Sequence, residues 1–308
     1  MNQSMIVEEA VKFQADDVTL VGTLSLPESK GPVPVVLMLA GSGPTDRDDN
    51  AGKMKIDLFP ALASALAEAG FGSFRYDKRG VGNSEGDFLT TGFYDLEADA
   101  RQALGYLATR DDLDAQRIFV LGHSEGAMLA ARLAAGDSKL AGAILLAGSA
   151  KTGEQTIVWQ TAKIVQSLRG LNKLIIGLFR IDVAKSQKKT LERLKQTTEA
   201  VTRIQGRKVN AKWMREFLTY DPVSDLKQVS VPVLAITGSK DVQVDPEDLE
   251  LMAELISAPV TTKVLPDLSH LFREDPTDAG IASYKKQTKQ PVAESLIGAV
   301  TDWLVGMR

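Results

Sequence analysis

The chain has 308 residues, of which 44% are hydrophobic and 25% charged, and a formal net charge of −4. That length and balance describe an ordinary globular protein able to bury a sizeable core, either as one large α/β domain with an insertion or as two domains. With no cysteine, the chain cannot form disulfides, zinc–thiolate sites or Fe–S clusters, and its two histidines, His123 and His270, exclude any site of three imidazoles.

The first residues, MNQSMIVEEAVKF, lack a basic stretch followed by an apolar one, and no run approaches 18 apolar residues. No signal peptide or stable membrane insertion is therefore expected, and the default location is cytoplasmic. Residues 6–26 alternate apolar and polar side chains around Ala15-Asp16-Asp17, which predicts an antiparallel hairpin. Residues 32–39 form a continuous apolar run ending at Gly41-Ser42-Gly43-Pro44, the pattern of a strand buried on both faces of a parallel sheet.

Strand and helix patterns then alternate. Helices are predicted at 57–69, 91–109 and 124–135, with strands at 72–76, 117–121 and 140–146. After the middle segment, strands are predicted at 231–237 and 261–265, with helices at 246–256 and 293–305. Repeated β-α-β units of this kind imply a mostly parallel sheet flanked by helices on both faces.

Residues 149–228 interrupt the alternation with helical, basic sequence. Between 151 and 220 there are 15 Lys+Arg against 5 Asp+Glu. The expected organisation is a core of residues 1–148 and 229–308 with a helical cap or lid at 149–228. The apolar residues 168–180, with Ile157, Val158 and Trp159, would line an acyl pocket, lie on a lipid surface or contact a second subunit; the plainer alternative is a cap burying its own core. The basic excess would steer anionic substrates, although solvated lysines are commoner.

The chemistry begins at Gly122-His123-Ser124-Glu125-Gly126, a G-x-S-x-G that follows an apolar strand and opens a helix. That context is the one a nucleophile elbow requires, with a serine lifted above the sheet edge on a strained turn and glycines where side chains would collide with backbone. The plain alternative is a serine N-cap. A serine nucleophile needs a base. His123 adjoins Ser124, diverges from it at a sharp turn and reads as a packing or orienting residue, which leaves His270. The histidine needs an acid, and Asp241 follows the 231–237 strand; Asp245, Asp267 and Asp275 compete. The backbone N–H groups of Ser42 and Glu125 are the expected oxyanion donors.

With these residues in hand, the chain resembles the α/β-hydrolase superfamily over residues 18–148 and 229–305. Tyr76-Asp77-Lys78-Arg79-Gly80-Val81-Gly82-Asn83-Ser84 resembles that family's D-x-R-G-x-G-x-S turn, and Gly238-Ser239-Lys240-Asp241-Val242-Gln243-Val244 its acid-bearing G-x-x-D-x-x-V turn. Residues 41–48 resemble the G-S-G-P-x-D-R-D loop of a group of bacterial carboxylesterases. Ala40 stands where relatives have the histidine of H-G, so other contacts must hold the loop, with an Asp46–Arg47 ion pair one candidate and a solvated loop the other.

The resemblance implies an α/β-hydrolase fold, the order Ser124, Asp241, His270, and hydrolysis of carboxylic esters through an acyl-enzyme. It implies a small-molecule ester substrate and no metal, organic cofactor or nucleic-acid partner; a homodimer through the cap is left open. Acyl transfer, thioester hydrolysis and peptide cleavage use the same triad, and a scaffold that has lost catalysis is the non-enzyme alternative.

Overall fold

The computed structural model describes residues 6–167, 183–277 and 280–307. Strand β3 (Val33–Leu39) is buried along its whole length, as are β4 (Gly72–Tyr76), β6 (Gly142–Leu146) and β9 (Val233–Gly238). Strand β5 (Leu113–His123) becomes continuously buried from Ile118 onward. Such runs need cover on both faces, and helices provide it.

The β1 (Ile6–Ala15) and β2 (Val18–Pro27) hairpin turns through Asp16, at φ 52°, in the register Ile6 opposite Pro27. With β10 (Val260–Leu265) it completes an eight-stranded sheet of order β1-β2-β4-β3-β5-β6-β9-β10, antiparallel at β1/β2 and β2/β4 and parallel beyond.

The period of two in β3 divides the core. Val35, Leu37 and Leu39 join the cluster under α2 (Phe93–Ala108) and α3 (Glu125–Gly136). Val36 and Met38 join the opposite one, under α1 (Leu58–Glu68) and the C-terminal helix Glu294–Gly306. The chain runs from β3 to β4 on one side and later returns to β5 on the other. The carboxyl ends of β3 and β5 therefore flank the point where strand order reverses, where open α/β sheets bind ligands.

Between β6 and β9 lie α4 (Gly153–Ser167), α5 (Val183–Gln196), α6 (Ala211–Thr219) and α7 (Pro222–Gln228). They are accompanied by a hairpin of β7 (Val201–Ile204) and β8 (Arg207–Asn210). This hairpin departs from the all-helical reading of the segment. Its strands are only four residues long and mostly half-buried, and its turn is Gln205-Gly206, both at positive φ, rather than the Asn-Gly or Asp-Gly that marks such turns in sequence.

Leu191, Leu194, Ala211 and Leu218 form a small core of their own, whereas Phe217, Tyr220 and Leu226 join the main one. The basic side chains meet acids of the sheet domain: Lys151 pairs with Asp245 and Asp248, and Lys212 with Asp95 at 2.6 Å. The apolar stretch 168–180 lies outside the described residues.

After β9 come α8 (Asp248–Leu255), β10, the short helix α9 (Tyr284–Gln287) and the closing helix, α10. Among the described residues no helix is long and apolar enough to cross a membrane.

Candidate active site

Ser124 sits between β5 and α3 at φ 56° and ψ −116°, a region a non-glycine residue occupies only when its surroundings force it. The forcing comes from close backbone contact. A Cβ on Gly122 would lie 1.9 Å from Gly126 O, and one on Gly126 would lie 1.9 Å from Leu39 O. The Ser124 side chain makes no capping hydrogen bond to α3, so the N-cap reading fails on geometry.

His270 and Ser124 line one cleft of about 150 Å³ together with Gly41, Ser42, Thr45 and Tyr284. The His270 imidazole is 4% exposed, and its Nδ1 lies 2.7 Å from Asp241 Oδ2. Asp241 Oδ1 accepts from the backbone N–H groups of Gln243 and Val244, so the carboxylate is held from both ends at the carboxyl edge of β9. The competing acids are engaged elsewhere. Asp245 pairs with Lys151, Asp267 is an exposed partner of Lys240, and Asp275 accepts from Thr277 and Ser283.

The loop after β3 is held as the absence of an H-G histidine requires. Gly41 N–H donates to Asp49 Oδ1 at 2.7 Å, and Gly41 O accepts from Thr45 Oγ1 at 2.9 Å and from the Lys78 ammonium at 2.5 Å. Lys78, 4% exposed, also donates 2.8 Å to Glu125 Oε1, while Glu125 Oε2 accepts from the indole N–H of Trp213 on α6. One buried ion pair thus joins the β3 loop, the elbow and the inserted helices. Asn210, the N-cap of α6, fixes that helix by donating to Phe88 O and Thr91 O.

Asp46 and Arg47 do not pair with each other. Arg47 forms a bidentate pair with Asp77, and Asp46 accepts from Asp48 N–H and Asn50 N–H inside the loop. The Asp77 carboxyl is raised by burial, but the hydrogen bonds from Arg47 and Asn83 outweigh this and hold it below the usual carboxylate range.

His123 is buried beside the site with both ring nitrogens engaged. Nδ1 lies 2.6 Å from Asp49 Oδ2, and Nε2 lies 3.0 Å from the backbone oxygen of His270. The orienting role read from sequence has this geometric form. Asp49 and Lys78 were not singled out in the sequence, because their partners lie 8 to 74 and 35 to 47 residues away and each stands in an unremarkable charged run. Arg273, burial of which pushes its guanidinium down to about 10, donates to the carbonyls of Leu271 and Ile56 and so ties the His270 loop to the β3 loop.

A second cleft of about 160 Å³ shares Ser42, Ser124 and Gln243 with the first and is lined by Met128 of α3, Ile157 and Gln160 of α4, and Trp213 and Phe217 of α6. Trp213 and Phe217 stack at 4.8 Å between centroids. Of the segment 157–159, Ile157 reaches this cleft while Val158 is exposed.

Comparison with known proteins fits this architecture. The family described as serine aminopeptidase, S33, matches residues 53–277, nearly three quarters of the chain. The chain belongs to the S33 family. Esterase EstD of Thermotoga maritima is 31% identical over 299 residues, covering 95% of this chain and 68% of that protein.

Among solved structures, Est1E of Butyrivibrio proteoclasticus bound to ferulic acid superposes with a TM-score of 0.65 at 16% identity, covering 97% and 99% of the two chains. Proline iminopeptidase of Mycobacterium smegmatis superposes at 0.64, also at 16% identity, over 97% and 98%. S33 membership and these neighbours establish an α/β-hydrolase fold and a hydrolase.

Proposed function

We propose that the protein is a serine hydrolase of carboxylic esters that works through an acyl-enzyme. The observation that carries this reading is the placement of a strained Ser124 and an Asp241-anchored His270 on one cleft. His270 takes the Ser124 proton as the serine attacks the ester carbonyl. Asp241 holds the imidazole with Nε2 toward the serine and offsets the imidazolium charge. His270 then returns the proton to the departing alkoxide, and in the second half it activates water against the acyl-enzyme.

The oxyanion is assigned to the N–H groups of Glu125 and Ser42. Glu125 is a first-turn amide without an intrahelical acceptor. In the planar peptide joining Gly41 to Ser42, C=O and N–H point in opposite directions, so Lys78 drawing Gly41 O one way turns the Ser42 N–H the other.

His270 protonates the leaving oxygen, so the alcohol belongs in the cleft that His270 lines. The acyl group then occupies the cleft under α4 and α6, and the segment 149–228 acts as a cap over it. An aminopeptidase would need a free carboxylate for the substrate ammonium. The acidic residues lining the two clefts are Glu125 and Asp49, and both are already engaged. Ester cleavage therefore fits better than peptide cleavage.

The acyl-enzyme has a direct test. Esters sharing one acyl group but differing in alcohol, hydrolysed in the presence of methanol, should give one constant ratio of methyl ester to free acid. A ratio that changes with the leaving group would rule out a common intermediate.

A further inference from the structure

The Asp49–His123 pair is a second histidine–carboxylate couple behind the first. Its Nδ1 faces a carboxylate oxygen and its Nε2 faces a carbonyl oxygen, and both of these are acceptors. A neutral imidazole has one N–H and can satisfy only one of them. Asp49 also accepts from Gly41 N–H through its other oxygen.

We propose that His123 is a permanent imidazolium paired with Asp49, and that the pair is a positioning device locking the nucleophile elbow, the oxyanion loop and the base into one register. His123 immediately precedes Ser124, Asp49 carries the Gly41 N–H, and His123 Nε2–H carries the main chain of His270, so three functional segments meet on two side chains. Burial opposes the charge on His123, but the adjacent Asp49 carboxylate and its hydrogen bond outweigh it and hold the group above the ordinary histidine value.

The two rings are 4.8 Å apart between centroids, and the His123 ring lies between Asp49 and His270. The charges of Asp49 and Asp241 act on His123, those of Asp49 and Asp57 act on Arg273, and Phe272 packs on the His123 ring.

The proposal rests on His270 being the base, but its first test does not. The chain has only two histidines, so ¹⁵N-histidine labelling of the full chain gives two ring spin systems. At pH 8 one of them should show two protonated ring nitrogens, and in Asp49→Asn, which keeps the hydrogen-bonding shape, it should collapse to one. Two neutral rings in the wild type would overturn the assignment whether or not the enzyme cleaves esters.

The second readout is kcat against KM. The accompanying loss in kcat should be about 10-fold, with KM little changed. A loss of kcat in Asp49→Asn with the doubly protonated ring unchanged would mean that the pair only supports the fold and would overturn the proposal. Failure of Ser124 to react with an ester-like probe would sink the esterase reading while leaving the ¹⁵N result intact.

Discussion

Lys78 is the residue whose removal should be most informative about rate. Its ammonium holds Gly41 O at 2.5 Å, and its counterion is Glu125, so it orients the Gly41–Ser42 peptide and also adds positive charge behind it. Lys78→Met keeps the length of the side chain and removes both effects. Loss of one aimed oxyanion donor costs about 10²–10³ in kcat, and a donor left in place but loosened should cost about 10–100-fold. KM should change less than about threefold, and binding of a boronic acid that forms the tetrahedral adduct should weaken in proportion to kcat. None of this was legible in the sequence, where Lys78 is the variable position of a D-x-R-G turn. Ser124 and His270, by contrast, stand out because, of the two G-x-S-x-G matches, only 122–126 joins a buried strand directly to a helix, and because the chain has only two histidines.

At the scale of elements, two loops and one helix face carry the site. The β3 loop is joined to the turn after β4 by Asp77, which accepts from the backbone and guanidinium of Arg47 and from Asn83 N–H. Its carboxyl lies below the usual range in the folded protein, so its contribution to stability is complete above the unfolded value near pH 4 and is lost as pH falls through the lower folded value. Asp77→Asn should destabilise by about 1–3 kcal/mol at pH 7. In urea melts that gap should hold from pH 7 to about pH 5 and narrow only as pH falls below about 4, and a gap that stayed constant to the lowest pH would place the effect outside this carboxylate.

The helix face is that of α4. Ile157 projects into the cleft assigned to the acyl group, whose volume of about 160 Å³ is comparable to cavities that accept a single aromatic ring. Ile157→Trp should reduce kcat/KM for benzoyl esters at least about 10-fold relative to acetyl esters while leaving the ranking of alcohols unchanged; reordering of the alcohols instead would exchange the two clefts. Element existence was legible because buried strands and amphipathic helices follow their periods, and β4 matches its predicted bounds. The β7–β8 hairpin was not, since strands of four residues carry almost no periodic signal.

For the molecule as a whole, charge asymmetry is a docking device as well as a surface property. The basic segment and the acidic sheet domain meet through Lys151 with Asp245 and Asp248 and through Lys212 with Asp95, which uses two of the cations that would otherwise steer an anionic substrate. The sequence revealed that the middle segment differs in charge but not that the difference is self-complementary, because the pairs span 94 to 117 residues. What unifies the molecule is the reversal of strand order between β3 and β5, which brings a loop donor, a strained serine and a distant histidine to one edge. The most direct test is intact-protein mass spectrometry after exposure to a fluorophosphonate, with the adduct mapped by peptide sequencing. The account predicts one adduct per chain, located on Ser124, absent in Ser124→Ala and slowed by orders of magnitude in His270→Ala. An adduct on any other serine, or equal labelling of wild type and Ser124→Ala, would contradict it.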